Sequence, residues 1–192
     1  MKERPLRGKV LKRILTVSEA VSTNLTLYNG VFASGTVLAA EKQTGGKGRY
    51  GSRWVSKKGG AWFSYIIKGS RRDPEFYVMV SSVAVCAVLR RMGINAEIKK
   101  PNDILAGGKK ICGILAEHSA YDKKTVVGIG INVNNPVPKN VNIPAVSIKK
   151  ILKKKIPPDK IICTVLKEME KYLSGARTRG DLEKKYECMV GE

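Results

Sequence analysis

Short apolar runs, separated by glycine and polar turn residues, recur along this chain. Runs of this length between turn-forming residues are typical of β-strands. The proline- and asparagine-rich segment at 136–144 instead predicts a mobile loop. The runs that predict strands are VLAAE at 37–41, AWFSYII at 61–67, DILAG at 103–107, KICGILAE at 110–117 and TVVGIGINV at 125–133.

Longer segments with apolar residues at helical spacing lie between and after these runs. Residues 76–93 predict one helix, which ends in arginines followed by Gly93, as helix C-termini favour. A second helix is predicted over 157–175, with prolines at its start and Asp159 as the N-cap. A shorter helix is predicted from residue 18 to about residue 29. Strands and helices that share one core indicate an α+β or α/β domain.

One β-hairpin is predicted in more detail, over residues 102–117. Gly107-Gly108 stands between two strand-like runs, which is a strong signal for a tight turn. Alternation then places Lys110 on one face with Cys112, and Gly113 on the other. A lysine beside apolar residues either extends to solvent or has a functional reason to point inward. A glycine inside a strand suggests close approach by a ligand or another backbone, and the alternative is a solvated turn lysine beside a bulge.

Composition indicates a folded, membrane-free protein. The chain has 192 residues, 43% hydrophobic and 27% charged, which suits a single globular domain. No apolar run approaches the ~20 residues of a membrane span, and no secretory signal follows the basic N-terminus. The four cysteines are widely spaced without a CxxC pair, so we expect reduced thiols, a cytoplasmic location and no protein-held metal site.

The net charge of +20 raises the question of nucleic-acid binding. The positive charge is spread along the chain, with only short clusters such as KKILKKK at 149–155. Aromatic residues make up 6% of the chain, too few to form a base-stacking platform. The charge therefore fits acidic ligands or an acidic protein partner as well as nucleic acid, and we expect no specific DNA binding.

A glycine-rich cationic stretch, TGGKGRYGSRW, covers residues 44–54. Its backbone amides can converge on an anion, and Lys47, Arg49 and Arg53 add positive charge. Trp54 either stacks on a purine or anchors the loop into the core. The spacing matches neither the Walker A pattern nor a dinucleotide fingerprint.

Two further segments are polar in unusual places. GIGINVN at 128–134 predicts a strand that lacks side chains on one face, with Asn132 able both to donate and to accept hydrogen bonds. VSTN at 21–24 is either a helix cap or a polar ligand clamp. Each segment alone has a purely structural alternative.

Taken in order, these segments resemble the catalytic domain of the biotin protein ligase family. The resemblance spans about residues 16–134 and implies an α+β fold, a mixed β-sheet with flanking helices like that of class II aminoacyl-tRNA synthetases. The matching segments are Ser22-Thr23-Asn24, Gln43 with GKGRYGSRW, KKPND at 99–103, KICGILAE at 110–117 and GIGINVN at 128–134.

The resemblance implies a two-step reaction. Biotin and ATP, with Mg²⁺, form biotinyl-5′-AMP and pyrophosphate, and the acyl group then passes to a lysine of a biotin carboxyl carrier protein. The implied catalytic residues are Lys110 and Arg49. The implied biotin-binding residues are Ser22, Thr23, Asn24, Gln43, Lys47, Gly48, Arg49, Lys110 and Gly113. The implied nucleotide-binding residues are Gly46, Arg53, Trp54, Asn102, Asp103 and Asn132.

Three positions depart from the family pattern. Lys47 stands where the family usually has arginine, Ser52 replaces the second arginine of the motif, and Lys100 replaces a tryptophan. Lysine keeps the charge but lacks the planar fork of arginine. These departures raise the hypothesis that the loop holds the adenylate less tightly. The released adenylate would then label lysines indiscriminately.

The resemblance also implies a domain organisation. We expect residues 1–192 to form one catalytic domain, without the N-terminal winged-helix domain of the ligase-repressors and without the small C-terminal β-barrel domain. A homodimer stays open, because members of the family often dimerise through sheet edges. Two other functions stay open as well: a lipoate or octanoate ligase or transferase of the same fold, and a non-catalytic basic protein that binds nucleic acid. His118 is the sole histidine, which disfavours a catalytic triad.

Overall fold

The computed structural model describes residues 1–69, 73–138 and 144–191. Its helices are α1 (Thr23–Asn29), α2 (Pro74–Arg91), α3 (Ile148–Leu152), α4 (Pro158–Leu173) and α5 (Arg179–Glu187), with a 3₁₀ turn at Arg49–Gly51. Its strands are β1 (Lys2–Pro5), β2 (Arg13–Ala20), β3 (Thr36–Gln43), β4 (Ala61–Lys68), β5 (Ala96–Lys99), β6 (Asp103–Ala106), β7 (Lys109–Ser119) and β8 (Lys124–Ile131).

The described strands form one mixed sheet in the order β1-β2-β3-β4-β8-β7-β6-β5. The pair β2–β3 is parallel and every other neighbouring pair is antiparallel. Helices α2, α4 and α5 pack on one face over the main hydrophobic core. The short helix α1 packs on the opposite face, over a small cluster that includes Leu27, Leu38 and Ile66. This mixed sheet with flanking helices confirms the expected α+β fold.

The long buried helix follows its sequence signals. Asp73 caps α2 by accepting a hydrogen bond from the backbone N–H of Phe76 at 2.7 Å, and Pro74 occupies the first turn. The helix ends at Arg91, and Gly93 adopts a left-handed φ of 80° that favours glycine. No helix in the described part of the chain is long and apolar enough to cross a membrane.

Two helix starts differ from the prediction. Residues 18–20 belong to β2, because Glu19 and Ala20 pair in parallel with the end of β3, and the helix begins only after Ser22. Asp159 is not the N-cap of α4: Pro157 occupies that position without a side-chain hydrogen bond, and Asp159 lies in the first turn. There its charge faces the positive end of the helix dipole.

Several elements were not predicted from the pattern. Five elements had no predicted counterpart, because each is short or mixed in polarity: β1, β2, β5, α3 and α5. The predicted mobile loop at 136–144 lies largely outside the described residues, since 139–143 are not described.

Candidate active site

A cavity of about 610 Å³ opens on the α1 face of the sheet. The start of α1, the end of β3, the 44–54 loop and the glycine-rich parts of β7 and β8 form its walls. Every predicted site residue except Gly46 lines it: Ser22, Thr23, Asn24, Gln43, Lys47, Gly48, Arg49, Arg53, Trp54, Asn102, Asp103, Lys110, Gly113 and Asn132. Gly46 is buried beside the wall, where its carbonyl accepts a hydrogen bond from the backbone N–H of Trp54 at 2.9 Å.

An uncharged hydrogen-bonding network forms one end of the cavity. The side-chain oxygen of Gln43 accepts from the backbone N–H of Thr23 at 2.8 Å and lies 3.1 Å from its hydroxyl. The Thr23 and Ser64 hydroxyls are 2.6 Å apart, and Ser64 donates to Asn24 Oδ1 at 2.6 Å. This end of the cavity is therefore lined with fixed polar groups and suits a neutral ligand head with several hydrogen-bonding atoms.

Three side chains that support this end of the cavity were not predicted from the sequence: Ser64, Ser56 and, behind the cavity wall, the carboxylate Glu117. Ser64 is fully buried in the middle of an apolar strand, which was the available signal. Gln43 Nε2 donates to the Ser56 hydroxyl at 2.7 Å, and Asn24 Nδ2 donates to Glu117 at 2.8 Å. Glu117 is the last residue of the matching segment KICGILAE, which was the available signal for it, whereas nothing in the local sequence pattern connects Ser56 to the cavity.

Ser22 acts as the helix cap that its sequence context allowed. Its hydroxyl accepts a hydrogen bond from the backbone N–H of Leu25 at 3.4 Å, and its backbone is extended. The cap fixes the point where the chain turns from β2 into α1. That turn places Thr23 and Asn24, the first residues of the helix, against the cavity.

The glycine-rich stretch folds back over the cavity as a small hairpin. Gln43 bridges to Ser56, and Lys47 bridges to Arg53. Within the turn, the Ser52 hydroxyl donates to the carbonyl of Arg49 at 2.7 Å. The side chains of Lys47, Arg49 and Arg53 are exposed and line the cavity, so this end is positively charged.

The hairpin is linked to the opposite wall through Arg49. The guanidinium of Arg49 donates to Asn102 Oδ1 at 3.2 Å and to the Tyr50 hydroxyl at 2.8 Å. Asn102 in turn donates to the carbonyl of Ile114 at 2.6 Å, which fixes it on β7. Arg49 therefore connects the loop to the sheet across the cavity.

The Trp54 indole packs against two glycines of the sheet, Gly113 in β7 and Gly130 in β8. A Cβ added to Gly113 would lie 2.9 Å from the indole ring, and one added to Gly130 would lie 2.5 Å from Nε1. The Trp54 indole also meets Trp62 edge-on, with ring centres 6.4 Å apart. Gly113 was expected to admit a ligand or another backbone, but the group that approaches it is this tryptophan. Trp54 thus anchors the loop, which was one of its two predicted roles.

Lys110 projects into the cavity, but not for the predicted reason. The alternation placed it on the face of Cys112, and that is wrong because β7 contains a bulge opposite β6 at which Ile111 has no partner. The bulge turns Lys110 to the face of Gly113, whose Cβ would stand 3.3 Å from Lys110 Cε. Cys112 faces the helix-side core instead, fully buried.

The Lys110 ammonium has two partners. Its Nζ lies 2.7 Å from Asp103 Oδ1 and 5.2 Å from the centre of the Trp54 ring. The carbonyl of Lys110 accepts from Asn132 Nδ2 at 3.5 Å, and the Asn132 oxygen accepts from Asn135 at 3.0 Å. Asn132 therefore supports the backbone that carries the lysine.

Other reactive groups are not arranged for chemistry here. Burial raises the pKa of the Cys112 thiol far above its usual range, so it stays protonated and is a poor nucleophile. Lys100, at a position that departs from the family pattern, is bound by Glu187 at 2.9 Å and does not line the cavity. Among residues 1–69, 73–138 and 144–191, no group of three or more His, Cys, Asp or Glu side chains could hold a metal ion.

Comparison with known proteins places this geometry in context. The biotin/lipoate A/B protein ligase family matches residues 19–134. The bifunctional ligase/repressor BirA of Bacillus subtilis is 33% identical over 174 residues, which cover 85% of this chain and 54% of the relative. The biotin–[acetyl-CoA-carboxylase] ligase of Mycobacterium tuberculosis is 30% identical over 189 residues, covering 88% of this chain and 69% of the relative.

A solved structure is similar over most of the described fold. The biotin protein ligase of Aquifex aeolicus, in complex with biotin and ATP, matches with a TM-score of 0.83 and 29% identity. The match covers 92% of this chain and 78% of that one. This chain thus spans about half the length of the Bacillus relative and most of the length of the Aquifex structure.

Proposed function

This chain belongs to the biotin/lipoate A/B protein ligase family, and on that premise we propose that it is a biotin protein ligase. It joins biotin to ATP, forming biotinyl-5′-AMP, and transfers the biotinyl group to a lysine of a biotin carboxyl carrier protein. The relatives named for biotin ligation and the Aquifex complex with biotin and ATP support the choice of substrates.

One observation carries the proposal: the Lys110 ammonium lies inside a cavity whose two ends differ in polarity. One end is the uncharged network of Thr23, Gln43 and Asn24, and the other is the cationic 44–54 loop. A biotin molecule has a neutral cyclic urea at one end and a carboxylate at the other. The cavity therefore binds the urea in the network and directs the carboxylate toward Lys110 and the loop.

The first step joins two anions, and the cationic groups make this possible. The biotin carboxylate oxygen attacks the α-phosphorus of ATP, a carboxyl-oxygen–phosphorus bond forms, and pyrophosphate leaves with the electrons of the broken bond. Lys110 donates to the carboxylate and to the α-phosphate, while Arg49 stabilises the negative charge that builds on the phosphate oxygens. Mg²⁺ would arrive as part of the ATP substrate and would supply positive charge beside the departing phosphates.

The loop has a second task, which is to keep water away from the mixed anhydride. Its hairpin covers the cavity from Lys47 to Arg53, and the cationic side chains of Lys47, Arg49 and Arg53 line the same end. Trp54 and Asn132 lie at this end of the cavity and would form the adenine side. In the second step the neutral amine of the acceptor lysine attacks the acyl carbon, the bond between that carbon and the phosphate oxygen breaks, and AMP leaves with its electrons. An amide forms and the amine proton passes to solvent.

The test is pyrophosphate exchange into ATP with either biotin or lipoate as the acid. The purified chain, ATP, Mg²⁺ and labelled pyrophosphate should exchange label when biotin is present, and not with lipoate. Exchange that depends on lipoate would assign the chain to the lipoate branch of the family. The absence of exchange with both acids would overturn the adenylation step itself.

A further inference from the structure

Behind the neutral end of the cavity, a chain of side-chain hydrogen bonds has a fixed donor and a fixed acceptor at every link. The Glu117 carboxylate is the acceptor at the end of this chain. This residue lies near the end of β7 and does not line the cavity. It contacts the cavity wall through Asn24 Nδ2, which donates to its carboxylate at 2.8 Å. The question is what this carboxylate does for the atoms that face the ligand.

Glu117 fixes which way the Asn24 amide points. A carboxylate and a backbone carbonyl can only accept hydrogen bonds. Asn24 faces both of these on one side, Glu117 at 2.8 Å and the carbonyl of Leu115 at 3.2 Å, so its NH₂ group must lie there. Asn24 Oδ1 is therefore turned toward Ser64.

The orientation of Asn24 then fixes the two hydroxyls beyond it. Ser64 is fully buried and has one proton, which it donates to Asn24 Oδ1 at 2.6 Å. At its 2.6 Å contact with Thr23, the Ser64 oxygen must accept, so Thr23 donates. The single hydroxyl proton of Thr23 is thereby used inside the wall.

The outcome is a pair of acceptor atoms on the cavity surface. Thr23 Oγ1 and Gln43 Oε1 lie 3.1 Å apart with no proton left to place between them. The Gln43 amide is held in this orientation, because its oxygen accepts from the Thr23 backbone and its nitrogen donates to Ser56 at 2.7 Å. Both oxygens keep a lone pair for a donor that arrives from the cavity.

We propose that Glu117 is a positioning residue that makes Thr23 and Gln43 a paired acceptor for an N–H group of the bound acid. The inference rests on the proposed function and extends it to the choice of acid. A cyclic urea presents N–H donors to this pair. A dithiolane ring, the head group of lipoate, has no such donor and would leave both oxygens unsatisfied.

The role of Glu117 can be separated from a general structural role by a matched pair of variants. Glu117→Gln retains a side-chain oxygen that accepts from Asn24. Glu117→Leu removes the shorter of the two contacts that hold the Asn24 NH₂ group and leaves the Leu115 carbonyl at 3.2 Å. The amide can then turn over, because the hydrogen bond lost at Leu115 is replaced by one between Thr23 and Gln43 when the protons of Ser64 and Thr23 reverse. Thr23 then donates to Gln43, and the acceptor pair is lost.

The measurement is calorimetric titration of each protein with biotin and with biotin methylated on both urea nitrogens. We expect the wild type and Glu117→Gln to prefer biotin by the same factor. In Glu117→Leu, the Kd for biotin should rise about tenfold, the effect of losing one hydrogen bond, while the Kd of the methylated compound stays unchanged. The preference for biotin then falls about tenfold.

Three results would overturn this inference while leaving the proposed function intact. Glu117→Leu could weaken the binding of both compounds equally, which would indicate a structural role. It could also leave the preference for biotin over the methylated compound unchanged. Loss of the preference for biotin in Glu117→Gln as well would also contradict the inference, because this variant retains an oxygen that accepts from Asn24. A wild type that binds no biotin and exchanges no pyrophosphate with biotin is a different result, because it removes the proposed function and the inference together.

A second variant tests the same pair if Glu117→Leu does not fold. Ser64→Ala removes the oxygen that accepts the Thr23 proton, and the same tenfold loss of preference should follow. Ser82→Ala is its control, since Ser82 is equally buried, lies in α2 and its hydroxyl has no hydrogen-bond partner among the described residues. A normal preference in Ser64→Ala would count against the proposal.

Discussion

Lys110 forms an ion pair with Asp103 across the β6–β7 hairpin, with 2.7 Å between Nζ and Oδ1. The two side chains are 25% and 15% exposed, so the pair is partly shielded from water. In this state Asp103 supplies the counter-charge and holds the ammonium at the cavity wall. In the proposed reaction, the substrate carboxylate and α-phosphate provide stronger negative charge at the same place.

Removal of the Lys110 amine should abolish most of the adenylation rate. Lys110→Ala loses a cation aimed at the developing charge, and such losses typically reduce kcat by about 10²–10³-fold. Biotin-dependent pyrophosphate exchange is the measurement. Lys109→Ala, at the exposed first position of β7 next to it, is the control and should retain wild-type exchange. Equal activity in the two variants would contradict the assigned role.

A methyl group at Gly130, one of the two glycines beneath the indole, should displace Trp54. In Gly130→Ala the new Cβ would meet the indole Nε1 at 2.5 Å, so the ring or the strand must move, at a cost of about 1–3 kcal/mol. We expect a lower melting temperature, a shift in tryptophan emission and a raised KM for ATP. Gly180→Ala is the control, because its nearest neighbour would be 3.8 Å away. Unchanged emission in Gly130→Ala would show that the position of Trp54 does not depend on the missing side chain at residue 130.

Restoring arginine at position 47 should improve retention of the adenylate. An arginine fork can bind two phosphate oxygens at once, whereas lysine binds as a point charge. We expect Lys47→Arg to lower the release of free biotinyl-5′-AMP severalfold without slowing pyrophosphate exchange. Chromatography of filtered and protein-bound adenylate measures the ratio. Lys9→Arg, at an exposed position outside the cavity, is the control. Complete retention by the wild type would refute the loose-loop hypothesis.

The loss of folding stability at acid pH should depend on Glu168. This residue is 9% exposed and forms ion pairs with Arg91 and Lys171 at 3.0 and 2.8 Å. Burial alone raises the pKa of this carboxyl, but the Lys171 hydrogen bond and the charges of Arg91 and Lys171 lower it overall. The stabilisation is therefore present above the ordinary pKa of 4.5 and is lost as pH falls through the lowered value.

Glu168→Gln should lower the free energy of unfolding by about 1–2 kcal/mol at pH 7. The difference from wild type should shrink below the ordinary carboxyl pKa, as urea titrations at several pH values can measure. Glu187→Gln, in an exposed pair with Lys100, should change stability by at most about 0.5 kcal/mol at every pH. A pH-independent loss in Glu168→Gln would exclude the electrostatic explanation.

The ordered motifs were sufficient to predict which residues gather at the cavity. Ser22–Asn24, Gln43 and the 44–54 loop lie far apart in sequence from Lys110, yet the sheet order brings them together. The glycines of β8 were predicted to leave one face bare, and that face is where Trp54 and Asn24 lie. The resemblance to the biotin protein ligases implied the set of site residues, and the glycines of β8 were also predictable because glycine is unusual inside strands.

The parts that were missed depend on tertiary pairing. The direction of Lys110 is set by the bulge in β7, which arises from pairing with β6 and has no signal in the alternation of β7 alone. Glu117 is linked to the cavity wall by a hydrogen bond from Asn24, 93 residues earlier in the chain. Residues 18–20 are extended because β3 pairs with them, although their local pattern suited a helix. Non-local hydrogen bonds decided each case.

A crystal structure with a non-hydrolysable biotinyl-5′-AMP analogue bound would show directly whether Lys110 acts on the acyl-phosphate anhydride. We expect Lys110 Nζ to leave Asp103 and to lie within hydrogen-bonding distance of both the acyl oxygen and a phosphoryl oxygen, beneath an ordered 44–54 loop. A complex in which Lys110 remains on Asp103, with the phosphoryl group bound elsewhere and the loop turned away, would contradict it.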